Sequence, residues 1–311
     1  MNPAFSVVVF TTAAGAGQGL VVALAIALLV GVPMAPSFIR ASLLVAILLL
    51  LIGLASSFLH LGRPLRAWRA ATMWRTSWLS REVIVLPAFI ALVTLWWLAA
   101  REPGSTPVRL ALPLAAIVVA ALLWYCTAMI YACLRFIEEW AQPLTVVNFV
   151  LLGLSSGTVL ASALAALAGE HRALALAAPL ALVVTLVAWA SRSAAWRHNA
   201  ALRHRSTLQS ATGIGSARLA QTSMGMSAGS FNTREFFHRA SASALRRIKG
   251  IAIVLGFALP AVLIAGVIVG ALPELACVAA LIVQAPGLMA DRWLFFAQAK
   301  HPQNLYYQVV S

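Results

Sequence analysis

Residues 58 to 82 read Phe-Leu-His-Leu-Gly-Arg-Pro-Leu-Arg-Ala-Trp-Arg-Ala-Ala-Thr-Met-Trp-Arg-Thr-Ser-Trp-Leu-Ser-Arg-Glu, and they join two long apolar runs, 41 to 60 and 82 to 100. Apolar runs near 20 residues are the length that a helix needs to cross a bilayer. A basic, tryptophan-rich stretch between two such runs has the composition of a loop at the membrane surface. The pattern helix, surface loop, helix decides the fold.

Outward from this stretch the same pattern repeats. Apolar runs cover residues 5 to 32, 41 to 60, 82 to 100, 107 to 134, 143 to 168, 172 to 191, 250 to 272 and 274 to 290. The chain of 311 residues is 62% hydrophobic and only 10% charged, too little charge to cover a soluble domain of that size. The fold class expected is all-α, a polytopic membrane bundle of eight transmembrane helices. It forms one domain over 1 to 311, with a single long polar loop at 192 to 249. The last run is the weakest, interrupted by Gln284 and Pro286-Gly287. The first begins near residue 5 without a basic leader or a small-residue cleavage site, so a retained helix is expected. Gly15, Gly17 and Gly19 in the first run, and Ser155, Ser156, Gly157 and Ser162 in the fifth, suit close helix-helix approach; no strand precedes the glycines to make a nucleotide loop.

Eight crossings put both termini on one side. All Lys and Arg residues except Arg40, Arg101, Arg109 and Arg172 then fall on that side. Basic residues of short loops are retained in the cytoplasm, so both termini and the 58 to 82 loop are expected to be cytoplasmic, in a bacterial inner membrane. The net charge of +14 is explained by these loops, without the contiguous basic face that nucleic-acid binding requires.

The redox options narrow by census. Cys126, Cys133 and Cys277 lie in apolar runs and form no Cys-x-x-Cys pair, so no iron-sulfur cluster or metal site is expected. Of six histidines only His60 touches a span, which leaves no pair of axial ligands for haem. The acids Glu82, Glu102, Glu138, Glu139, Glu170, Glu235, Glu274 and Asp291 all map to span ends or loops, so no buried relay of an ion pump or coupled transporter is expected.

What remains is the ionisable group within residues 58 to 82. A quinone head group needs donors for two carbonyl oxygens, an apolar wall, lipid access and a route for two protons. His60 can donate to a carbonyl and move a proton, and Glu82 can relay it. Gly62 permits close approach, Arg63 and Arg66 can hold an anionic head group or orient Glu82, and Trp68, Trp74 and Trp78 can wall the ring. The same residues also fit a structural salt-bridge cluster, with His60 capping the second span and the tryptophans as interfacial anchors.

Two further polar segments stand out. Asn232-Thr-Arg-Glu-Phe-Phe-His-Arg239, with Phe231, has the aromatic and arginine content of a docking surface in place of a disordered linker. The tail from Asp291 to Tyr307 carries Trp293, Phe295, Phe296, Tyr306 and Tyr307, as an interfacial belt does, and falls on the same side. Loop and tail together can form one platform.

Several of these segments resemble one family in order along the chain. His60-Leu-Gly-Arg-Pro64 and Trp78-Leu-Ser-Arg-Glu82 look like the signature of the dimethyl sulfoxide reductase anchor subunit family. Asn2-Pro-Ala-Phe-Ser-Val with Phe10-Thr-Thr, the Asn232 to His238 segment and Arg292-Trp-Leu-Phe-Phe-Ala are similar to it too. The resemblance implies the membrane anchor of a three-subunit molybdenum oxidoreductase. Its partners are a catalytic subunit with a bis(molybdopterin guanine dinucleotide) cofactor and an iron-sulfur electron-transfer subunit; the anchor itself binds quinone, either ubiquinone or menaquinone, without haem or cluster. By motif, His60 and Glu82 take the quinone-site roles, with Gly62, Arg63, Arg66 and Trp78 in register. The long loop and basic bias are closer to the sulfite dehydrogenase branch than to the menaquinol-oxidising reductases. A stand-alone transporter is the rival from another class.

Overall fold

The computed structural model of the chain describes residues 1–59, 61–100, 106–223, 236–238 and 240–306. Among these, eight helices are long and apolar enough to cross a membrane. They are α1 (Phe5–Leu29), α2 (Pro36–Phe58), α3 (Trp78–Ala99), α4 (Thr106–Ala132), α5 (Pro143–Ala168), α6 (His171–Ala201), α7 (Ala242–Ile268) and α8 (Ala276–Ala297). The described residues hold no strand. This is a multi-pass membrane protein of the all-α class, as expected.

The boundaries follow local chemistry. Pro36 and Pro143 occupy the first helical positions of α2 and α5, where a missing N–H costs nothing. Ser77 caps α3 by accepting from the Ser80 N–H, and Gly169 ends α5 with a φ of 66° that only glycine adopts freely. Pro87, Pro113, Pro179 and Pro286 lie inside spans, tolerated where neighbouring helices take up the freed carbonyls. Between α2 and α3, Pro64–Met73 forms a 3-10 helix along the surface.

Three expected boundaries are corrected. α6 runs to Ala201, about three turns beyond its apolar run, so Arg192 is a helix residue and not the start of the polar loop. α7 begins at Ala242, which shortens that loop from both sides. α8 continues through Pro286-Gly287 to Ala297 and takes Asp291 and Arg292 out of the tail into the bundle. Gln284 does not break α8 either: buried, it donates to Ser155 Oγ at 3.0 Å, and Ser155 pairs with Thr185 of α6 at 2.8 Å.

α1 and α5 form the centre. Two-thirds of each span's most apolar window is buried (67%), against 28% for α3, which turns most of its surface to lipid. The two central helices meet through glycine: a Cβ on Gly19 would lie 2.0 Å from the Gly153 carbonyl oxygen, and one on Gly157 2.0 Å from the Gly19 carbonyl carbon. With lipid on the outside, such close backbone packing replaces the hydrophobic driving force between helices. A second crossing of this kind joins α7 and α8 at Gly256 and Gly287, inside the π-helical turn Val254–Ala258 of α7.

The two ends of the bundle can be told apart by contacts. At one, the Met1 amine donates to the carbonyls of Ala297 and Ala299 at 3.1 and 3.0 Å, and Trp140 donates to Phe295 O at 3.0 Å. At the other, the Ala35 N–H donates to Glu170 at 3.0 Å and His171 meets Glu274 at 2.9 Å. The amino terminus and the end of α8 therefore share one end, as an even number of crossings demands.

Candidate functional site

The surface loop and the first turn of α3 meet at the shared end. His60 lies outside the described residues. Gly62, Arg63 and Arg66 stand exposed on the loop, with Trp68 and Trp74 also exposed. Trp78 is half-buried: its ring packs edge-on against Tyr125 of α4, centroids 5.3 Å apart, and the Arg81 guanidinium sits 4.0 Å above it. Arg81 also donates to the carbonyls of Trp74 and Arg75 at 2.9 and 3.0 Å, which ties the end of the loop to α3.

Glu82 departs from its neighbours. One residue beyond Arg81, it turns inward and is only 5% exposed. The Thr127 hydroxyl of α4 donates to Glu82 Oε1. Helix periodicity explains the split, since successive residues lie about 100° apart on the helix, so Arg81 reaches the surface while Glu82 faces α4. A carboxyl held in an otherwise apolar helix pair is costly, and such residues mark functional positions in membranes by default.

The residues present suit a quinone. Glu82 and Thr127 supply polar groups at the depth of the first helical turns, Trp78 and Tyr125 an aromatic edge, and the lipid-facing flank of α3 the access that a long apolar tail needs. The exposed Arg63 and Arg66 are separated from the buried Glu82 in burial, so within the described residues the sequence-derived group divides into an outer part and an inner one.

Sequence reasoning missed a second buried polar group. Arg192 of α6 donates to Asp291 Oδ1 of α8 at 2.5 Å, with the side chains 4% and 0% exposed. Arg292 is buried beside them, its guanidinium 3.9 Å over the Phe149 ring. The expectation that all acids lie at span ends or loops is thus overturned for Asp291. A single-residue hydropathy reading cannot see that the charge is compensated by a partner 99 residues away. The sequence signal was the apolar Trp293-Leu-Phe-Phe after Asp291-Arg292, which continues the helical run. Thr127 gave no sequence signal at all.

Above this group the loop and tail do come together. Tyr131, Trp140, Phe149, Phe295 and Phe296 form an aromatic cluster, so Phe295 and Phe296 pack inward and not as an interfacial belt. Phe236 stacks on His301 at 4.2 Å, Asn304 donates to Phe236 O at 3.1 Å, and the Tyr306 hydroxyl donates to Ala211 O at 2.8 Å. Phe231, Arg234, Glu235 and Arg239 of the expected docking segment lie outside the described residues. Burial lowers the Met1 amine to about 6, opposed in part by the Glu139 carboxylate. It also lowers His238 and His301, with the nearby chain amine adding to the effect. Among the described residues no His, Cys, Asp or Glu group is arranged to hold a metal.

Comparison with known proteins bears on this arrangement. A family model described as "DMSO reductase anchor subunit (DmsC)" matches residues 1–297. The chain is also similar to a sulfite dehydrogenase subunit of Allochromatium vinosum, 47% identical over an alignment of 330 residues that spans all of both chains.

Proposed function

We propose that this chain, which belongs to the DMSO reductase anchor subunit family, is the quinone-binding membrane anchor of a three-subunit molybdenum oxidoreductase engaged in sulfite oxidation. It passes electrons between an iron-sulfur subunit and the membrane quinone pool. The observation that carries the reading is Glu82: a buried carboxyl, bonded to Thr127, at the end of the family-like segment Trp78-Leu-Ser-Arg-Glu82. Full-length similarity to a sulfite dehydrogenase subunit favours sulfite oxidation over the menaquinol-oxidising reductases.

A bound quinone supplies two-electron, two-proton carrier chemistry. His60 and the Glu82 carboxyl would hold and orient its polar edge, with the Thr127 hydroxyl fixing Glu82 in place. Glu82 takes or gives a proton at Oε1 or Oε2, and burial keeps bulk water from competing for that bond. Trp78 supplies an aromatic wall, Gly62 permits close approach, and Arg63 and Arg66 place positive charge at the loop. The basic end carrying the loop, the tail and both chain termini faces the cytoplasm, where the iron-sulfur and molybdopterin subunits dock.

The test uses the assembled complex. His60→Ala and Glu82→Gln should each lower quinone-coupled turnover by about 100-fold, the scale of a lost proton-transfer group, while the three subunits still co-purify. Wild-type turnover and quinone affinity in both variants would remove the site assignment. A chain that purifies alone and moves solute in vesicles would remove the anchor reading altogether.

A further inference from the structure

Three small cavities lie in the half of the bundle that holds Glu82 and the shared end, and all three are bordered by one residue, Arg292. The innermost is lined by Thr127, which holds Glu82, together with Thr11, Gln18 and Arg292. Another, lined by Thr12 and Ser156, also borders Thr11 and Arg292. The outermost is bordered by Arg292, Asp291, Arg192, Asn148, Gln142 and Glu139. Each is of a size to hold one water molecule. Arg292 and Phe149 form the wall common to the innermost and outermost cavities.

The lining of the outermost cavity is chemically unfinished. Both side-chain atoms of Asn148, Arg192 Nη2, Asp291 Oδ2 and Gln142 Oε1 are buried and find no partner among the described groups of the protein. Asn148, Arg192 and Asp291 are each under 5% exposed. Leaving such groups unpaired is costly, and buried water bonds to clusters of this kind. Beyond the cavity Glu139 meets His204 at 3.6 Å, and His204 is 31% exposed at the surface. Two guanidinium groups and one carboxylate leave a net positive charge in the interior, which a carboxylate at either Glu82 or Glu139 offsets. Moving a proton from one acid to the other keeps that balance.

We propose that these cavities hold bound waters forming a proton route from the surface pair His204 and Glu139, past Asn148, Asp291 and Arg292, to Thr127 and Glu82. The proposal rests on the quinone reading of Glu82. For each two electrons that the iron-sulfur subunit delivers, two protons reach the Glu82 carboxyl by this path and leave the medium on the side of His204. Arg292 borders all three cavities; it gives an N–H proton to the water on the Glu82 side and takes one back from the water on the other side, ending in the charged form in which it began. Asn148, with a donor and an acceptor both free, orients the chain of waters and is a positioning residue.

The test pairs a structural readout with turnover. In the full chain in lipid nanodiscs, hydroxyl radicals generated by X-ray irradiation label rings beside bound water. Phe149 and Phe295 should be labelled well above Phe89, a buried ring that lines none of the three cavities, and Phe149, only 2% exposed against 0% for Phe89, is the decisive comparison. Asn148→Leu should lower that labelling to the Phe89 level and slow quinone turnover of the assembled complex by about 10- to 100-fold at unchanged KM for quinone. Asn148→Ser should restore both, which guards against simple misfolding of the leucine variant. No labelling of Phe149 and Phe295 in the natural chain overturns the route. So does Asn148→Leu turning over at the natural rate while Glu82→Gln is slow. If Glu82→Gln is itself unaffected, the quinone-site reading fails first and the proton role falls with it.

Discussion

The two ends of the bundle use charge in opposite ways. At the end shared by the termini, Glu82, Arg192, Asp291, Arg292 and Glu139 are all buried. Among the described residues the acids of the far end make their contacts on the surface: His171 and Glu274 meet with side chains 74% and 42% exposed, and Glu170 caps a backbone N–H in the open. Surface pairs contribute little to stability, whereas a buried charge costs several kcal/mol and persists only with a partner. A fold that needed charge only for solubility would distribute it as the far end does. The buried set at one end therefore sets that end apart from the other, and it is the set on which the proposed proton route rests.

The sharpest way to break this comparison is to remove one acid at each end. Asp291→Ala leaves the Arg192 guanidinium buried without its carboxylate and should cost about 3–5 kcal/mol, seen as a lower unfolding midpoint in detergent. Glu274→Ala should cost less than about 1 kcal/mol. Equal shifts would show that the inner pair is no more coupled to the fold than the outer.

Next in size is Thr127→Val, which deprives Glu82 of its hydroxyl donor and should destabilise by about 1–3 kcal/mol. Thr94→Val serves as its control, since Thr94 bonds only within its own helix to Ile90 O, and should stay within about 0.5 kcal/mol. Trp140→Phe removes the indole bond to Phe295 O but keeps most of the ring packing, and should cost about 0.5–1.5 kcal/mol.

The smallest effect is on pH. The Met1 amine, His238 and His301 all have lowered pKa values, so each favours its neutral form in the folded loop-tail contact. Their contribution is fully present above the unfolded values, about 8 for the amine and about 6.5 for the histidines. It is lost as pH falls through the folded values, near 6 for the amine. Limited proteolysis of the tail should therefore quicken as pH drops from 8 to below 6. A rate flat across that window contradicts the assignment, and the far end should show no matching change.

How much of this was legible in the sequence varies by residue. The eight crossings and their helical class were, because apolar length alone reports a span. Gly19 and its partners were legible as packing positions, since small residues in a membrane run have few other uses. Glu82 was legible because an acid opening an apolar run is conspicuous. Its turn inward, away from Arg63 and Arg66, was not, since it depends on the helix phase relative to Thr127. Arg192 and Asp291 were misread for a similar reason: each looks like a loop residue until the other is placed beside it by the packing of α6 on α8.

The most direct test of the central claim is to map where quinone binds. A photoreactive quinone analogue, irradiated in the assembled complex and traced by mass spectrometry, should label peptides from 58 to 82 and the facing turns of α4 around Tyr125 and Thr127, with excess natural quinone suppressing the label. Competed labelling confined to other helices, with the 58 to 82 peptides unmodified, would contradict the account.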